Sequence, residues 1–89
     1  MEIPPGKTIV TEVVVRNPSQ EVIRGAYAEV DYGGGLTAQS GPVNLAPGAS
    51  ASLQVRLRNP STSPLAFPSA TVILRDVEGR VHSREVRSL

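Results

Sequence analysis

The chain has 89 residues, a formal net charge of +1, no Cys, no Trp and one Phe. That length suits one small domain, and the absence of Cys excludes a disulfide framework and a thiolate metal site. The near-neutral charge argues against nonspecific attraction to nucleic acid or to an anionic membrane. The core must therefore come from Val, Ile, Leu and Ala, and at this size assembly with neighbours is expected to supply part of the stability.

Met1-Glu2-Ile3-Pro4-Pro5 contains neither a basic n-region nor an apolar h-region, and no apolar run approaches membrane-spanning length. The chain reads as a whole protein made without a secretion signal, or as a module cut from a longer secreted one. From Thr8 to Arg16 the segment TIVTEVVVR is β-branched and alternating. The pattern predicts a strand with Ile9, Thr11, Val13 and Val15 inward and Val10, Glu12, Val14 and Arg16 outward. Asn17-Pro18-Ser19 ends it, because Pro lacks a donor and restricts the residue before it. A loop carrying Val22 and Ile23 follows. Ala26 to Tyr32 alternates again, with Ala28, Val30 and Tyr32 inward. Gly33-Gly34-Gly35 permits positive φ and a turn into Leu36 to Ser40.

Gly41 to Gly48 reads as a crossover. Leu53, Val55 and Leu57 then face inward on the next strand, with Ser52, Gln54, Arg56 and Arg58 outward, and Asn59-Pro60-Ser61 ends it. Leu65 and Phe67 lie in the second loop. Ser69 to Arg75 places Ala70, Val72 and Leu74 inward, and Asp76-Val77-Glu78-Gly79 forms a hairpin loop into Arg80 to Arg87. In that last segment Val81 and Val86 fall on opposite faces unless a bulge intervenes.

The chain nearly repeats itself at an offset of 42 residues: of the positions Pro5–Ser19 set against Pro47–Ser61, seven of fifteen are identical. Ala28 and Ala70, and Val30 and Val72, match at the same offset. Two copies of one three-stranded unit, residues 5–41 and 47–89, account for this. Six or seven antiparallel strands in two such units predict an all-β, immunoglobulin-like sandwich over residues 1–89.

The order PPGKTIVTEVVVRNPS, LAPGASASLQVRLRNPS, ATVILRDVEGRV resembles bacterial and phage immunoglobulin-like modules of the CARDB type. The resemblance covers nearly the whole chain and rests on turn chemistry common to many sandwiches. It implies strands B, C, C′, E, F and G, with strand A absent or reduced to Met1-Glu2-Ile3, leaving an open edge. Such modules serve as spacers, adhesins and virion appendages more often than as enzymes.

Pro in the middle position excludes the two Asn-Pro-Ser sites as glycosylation acceptors. Asp31 with the glycine run lacks the helix and the basic residue that a phosphate cradle needs. Asp76 and Glu78 supply two carboxylates where a hard cation wants six or more oxygens. His82, Ser83 and Glu85 form a triad only on paper, because adjacent strand residues face opposite ways. The arginines at 75, 80, 84 and 87 read as charge protecting an edge strand.

No cofactor or metal is expected. The leftover apolar residues are the protein-interface candidates: Val10 and Val14 on the outer face of the first sheet, and Ile23, Leu65 and Phe67 crowding the loop end. Together they predict a non-enzymatic structural module that works through protein contacts, including homo-oligomer contacts, and binds neither nucleic acid nor membrane. A strand added at the open edge is a third means of contact. The setting expected first is a bacteriophage virion, as a capsid decoration or tail accessory protein. The alternative is an extracellular spacer or adhesion module of a bacterial cell-surface protein.

Overall fold

Because the apolar residues alternate at a period of two, they can be buried only if strands pair and the apolar faces meet. The computed structural model describes residues 2–88 and does this with nine strands. They are β1 (Glu2–Ile3), β2 (Thr8–Arg16), β3 (Ile23–Gly33), β4 (Leu36–Gln39), β5 (Val43–Leu45), β6 (Ser50–Arg58), β7 (Leu65–Ala66), β8 (Ser69–Arg75) and β9 (Val81–Ser88). β2 pairs with β6, β1 with β7, and the wider sheet runs β4-β3-β8-β9 with β5 also paired to β3. All of these pairings are antiparallel. The protein is an all-β sandwich.

The inward sets meet as the alternation requires. Val13, Val15, Leu53, Val55 and Leu57 of the narrow sheet pack in one cluster with Ala28, Val30, Tyr32, Ala70, Val72 and Leu74 of the wide sheet. Three expectations change. Ile23 opens β3 instead of lying in a loop, the crossover contains strand β5, and Leu65 lies in strand β7. A register shift between Leu74 and Arg75 supplies the bulge that reconciles Val81 with Val86.

The repeat is a two-fold axis in space. In the narrow sheet Glu12 stands opposite Gln54, its own counterpart at the 42-residue offset. In the wide sheet Val30 stands opposite Val72, again its counterpart. Antiparallel strands that set counterpart against counterpart are related by a two-fold rotation normal to the sheet, here through both layers. The short strands obey it too: Ile3 pairs with Leu65, and their counterparts Leu45 and Ile23 pair with each other.

The two hairpins break the symmetry. β3 turns into β4 through Gly34 and Gly35, both at positive φ, whereas β8 reaches β9 over the longer loop Asp76–Arg80. Asp76 organises that loop: its Oδ1 accepts from the Glu78 and Arg80 backbone N–H groups at 2.8 and 3.0 Å.

Candidate functional site

Symmetry makes two seams, one on each side of the sandwich, where an edge of the narrow sheet faces an outer strand of the wide one. The seam between β6 and β4 is closed. After Gln39 the chain leaves the wide sheet, and Ser40 stands opposite Val55 of β6 in an isolated antiparallel bridge. Ser40 also donates its N–H to the Ala28 carbonyl and accepts the Ala28 N–H on Oγ, both at 2.9 Å. On its β4 side this seam is lined by the apolar Leu36 and Ala38, packed on the core.

The seam between β2 and β9 is open. Asn17, just past β2, directs its N–H and carbonyl toward Ala49 and Gly48 at the start of β6, and the Lys7 carbonyl accepts from Asn59 past its end. Strand backbone alternates, so odd-numbered residues of β2 serve the β6 ladder and even-numbered ones face away from it. The Val14 carbonyl accordingly accepts from Nη2 of Arg87 across the seam. Arg87 is opposite Ala70, the counterpart of Ala28, so it occupies the place that Ser40 holds on the other side. One guanidinium arm stands where the twin seam has a backbone crossing.

Two depressions flank that arm. One, of 390 Å³, is lined by Val14, Val15, Pro18, Val72, Ser83 and Glu85 among others. The second, of 290 Å³, is lined by Thr11, Val13, Val30, Tyr32 and Ala70 among others. Both are lined in part by Arg87, and together they make a slot along the edge of β2. On the β9 side the slot is polar, because Ser83, Glu85 and Arg87 pair with the inward residues Leu74, Val72 and Ala70 and therefore share their face. Arg87 holds Glu85 at 2.8 Å. Burial pushes the Tyr32 phenol above its usual range, and a hydrogen bond with Thr11 opposes that shift.

Both ends of the narrow sheet are held by a device that the alternation does not reveal. Asn17 and Asn59 are fully buried. Nδ2 of Asn17 donates to the carbonyls of Glu21 at 2.6 Å and Leu45 at 3.0 Å, while Oδ1 accepts from the Ser19 N–H and hydroxyl. Nδ2 of Asn59 donates to Ser63 at 2.7 Å and Ile3 at 2.9 Å, and Oδ1 accepts from Ser61 in the same way. Each Asn satisfies three groups of a tight loop and one carbonyl of a short strand, β5 in one case and β1 in the other. The sequence signal was present as two identical Asn-Pro-Ser sites, but it reads there only as strand termination.

The predicted interface residues separate. Val10 and Val14 are half-exposed on the outer face of β2, as the alternation requires. Ile23 and Phe67 are 3% and 8% exposed and belong to the core. Leu65 is partly buried and packs against that core. The loop-end surface expected from these three is therefore corrected: they cap the sandwich from within. Phe67 sets its ring 5.2 Å from that of Tyr32.

Other sequence candidates do not converge. His82 Nε2 lies 2.9 Å from Asp76 Oδ2 at the hairpin, while Ser83 lines the seam. Asp76 has both oxygens engaged, Oδ2 by His82 and Arg80. These partners, His82 foremost, hold its carboxyl below the usual range despite some desolvation. Asp31 is opposite Thr71, far along β3 from Tyr27, the partner of Arg75, so it cannot join Asp76 and Glu78 at a cation. Among the described residues no three His, Cys, Asp or Glu side chains gather as a metal site.

Comparison with known proteins finds no match: no family model, curated protein or solved structure is similar to the chain.

Proposed function

We propose that this domain is a non-enzymatic structural module that acts by protein contact, and that its setting is a bacteriophage particle, as a capsid decoration or tail accessory protein. The observation that carries the reading is the open seam. A free strand edge beside exposed Val10 and Val14 is a surface that a monomer would ordinarily blunt or cover. The sequence resemblance to CARDB-type modules points the same way.

The second reading, a spacer or adhesion module of a bacterial cell surface, draws on the elongated outline of 44 × 20 × 19 Å.

Fractionation of the producing strain decides between them. Recovery of the chain with purified particles, in constant ratio to the capsid protein, is the expected result. Recovery with the cell envelope would overturn the virion setting and support the surface module. Sedimentation of the purified chain over a wide concentration range then reports whether copies associate without a lattice.

A further inference from the structure

The geometry points to a binding site for one extended segment of a partner protein, added antiparallel to β2 in the slot beside Glu12, Val14 and Arg16. This deepens the proposed function and rests on it, since it names how a protein contact would be made. The fold itself supplies the precedent. Around the two-fold axis the edge of β6 is covered by the segment at Ser40, antiparallel and opposite Val55. The counterpart of Val55 is Val13, and among the described residues the equivalent place beside it is lined by Arg87 and Ser88, with no strand paired there. Among these residues the same edge is thus covered by backbone in one half of the molecule and not in the other.

The residues facing the slot define the occupant. Its backbone would meet the even-numbered groups of β2, which turn away from β6. Its outward side chains would stand beside Arg16, Val14 and Glu12 in that order, because the strand runs antiparallel. Opposite charge at the two ends and an apolar residue at the centre is the complementary pattern. Read from its N-terminus, the segment is acidic, small, apolar, small, basic. The inward positions are small because Glu85 and Arg87 already stand beneath them, as Ala38 and Ser40 are small at the twin seam. On binding, Arg87 yields the Val14 carbonyl to a backbone N–H of the segment.

A second folded copy is the wrong shape for this slot. The sheet β4-β3-β8-β9 is wider than the pair β2-β6. Two copies joined through β2 would each carry β9 into the space the other needs. A single strand has no such overhang.

The probe is a blocked peptide, Thr-Glu-Ser-Val-Ser-Arg-Thr, titrated into the isotopically labelled full chain, with the charge-exchanged Thr-Arg-Ser-Val-Ser-Glu-Thr as control. Saturable amide shifts at Glu12, Val14, Arg16 and Arg87 are expected, with exchange of the Val14 amide slowed by at least ~10-fold. The control should bind ~5-fold more weakly or worse. Val14→Pro removes an outward donor while leaving the β6 ladder intact, so it should keep a dispersed spectrum and lose the peptide.

No saturable shift at these amides, equal binding of the control, or full binding by a folded Val14→Pro each overturns the inference. Protection of the same amides on raising protein concentration without peptide overturns it as well, in favour of a second copy. None of these outcomes touches recovery of the chain with particles, so failure of the segment site and failure of the virion setting are read separately.

Discussion

The two seams of this sandwich start from the same edge geometry and end differently. Beside β6, Ala38 is opposite Val30 and the chain then crosses at Ser40. Beside β2, Glu85 is opposite Val72. The residue at the repeat offset from Ala38 is Arg80, but Arg80 lies in the hairpin loop. The longer Asp76–Arg80 turn has slid the outer strand along its neighbour, so that Ser83, Glu85 and Arg87 stand where the other seam has Leu36, Ala38 and Ser40. A change in one turn therefore decides which half of a symmetric framework is sealed. Inward charge on an edge strand also discourages indiscriminate pairing, so the open seam is guarded as well as accessible.

Proline substitution gives the largest expected contrast. Val15 faces the β6 ladder, and Val15→Pro should remove a ladder bond and strand its buried partner group, leaving the domain unfolded or strongly destabilised. Val14→Pro should fold, because its N–H points to the open side. Arg56→Pro is the sharper comparison: Arg56 is the counterpart of Val14, but its backbone faces the closed seam at Ser40, so it should be clearly less stable than Val14→Pro. Equal denaturation midpoints for the two variants would mean that the seams do not differ.

The asparagines test where the symmetry should hold. Asn17→Ala and Asn59→Ala each strand the same set of loop groups, and each should cost roughly 2–4 kcal/mol by chemical denaturation. The two losses should agree closely, because the bonds agree bond for bond. A large loss at one site only would show that one of the short strands, β5 or β1, contributes little.

How far these features could be read beforehand follows from the range of each signal. The inward sets of β2, β6, β3 and β8 came directly from alternation, and the repeat removed the choice of face for β2 by pairing it with an unambiguous strand. Ile23 was misplaced because a bulge interrupts the period. The register shifts between Ile23 and Ala26, and Gly25 between them has φ of 58°. A Cβ at Gly25 would lie 2.9 Å from Cβ of Val77, so a second, steric demand also keeps that position glycine. β1 and β7 span two residues each, too few to carry a period. The polar lining of the slot depends on how far the last hairpin slides β9, which composition does not encode.

Exchange of the seam linings should give a smaller effect. Ala38→Glu places a charge against the apolar closed seam and should cost about 1–3 kcal/mol. Glu85→Ala removes a charge from the open one, where Glu85 is largely exposed, and should change stability by no more than ~0.5 kcal/mol. Thermal denaturation of the pair measures the difference, and similar losses would mean that the open seam is as dry as the closed one.

The smallest expected effect concerns the turn that produces the asymmetry. Asp76 is held below its ordinary range, first by its hydrogen bond to His82 and then by the backbone N–H groups of Arg80 and Glu78 and the charge of Arg80. A carboxyl depressed in the folded state binds its proton more readily when the chain unfolds. Its contribution is therefore complete above the unfolded value, near pH ~4, and disappears as pH falls through the lower folded-state value. Asp76→Asn should lower stability at neutral pH, and the gap between variant and parent should narrow in that acid window. A gap that stays constant on acidification would assign the turn's rigidity to hydrogen-bond geometry alone. In that case β9 would be held in register by shape, and acid would leave the open seam intact.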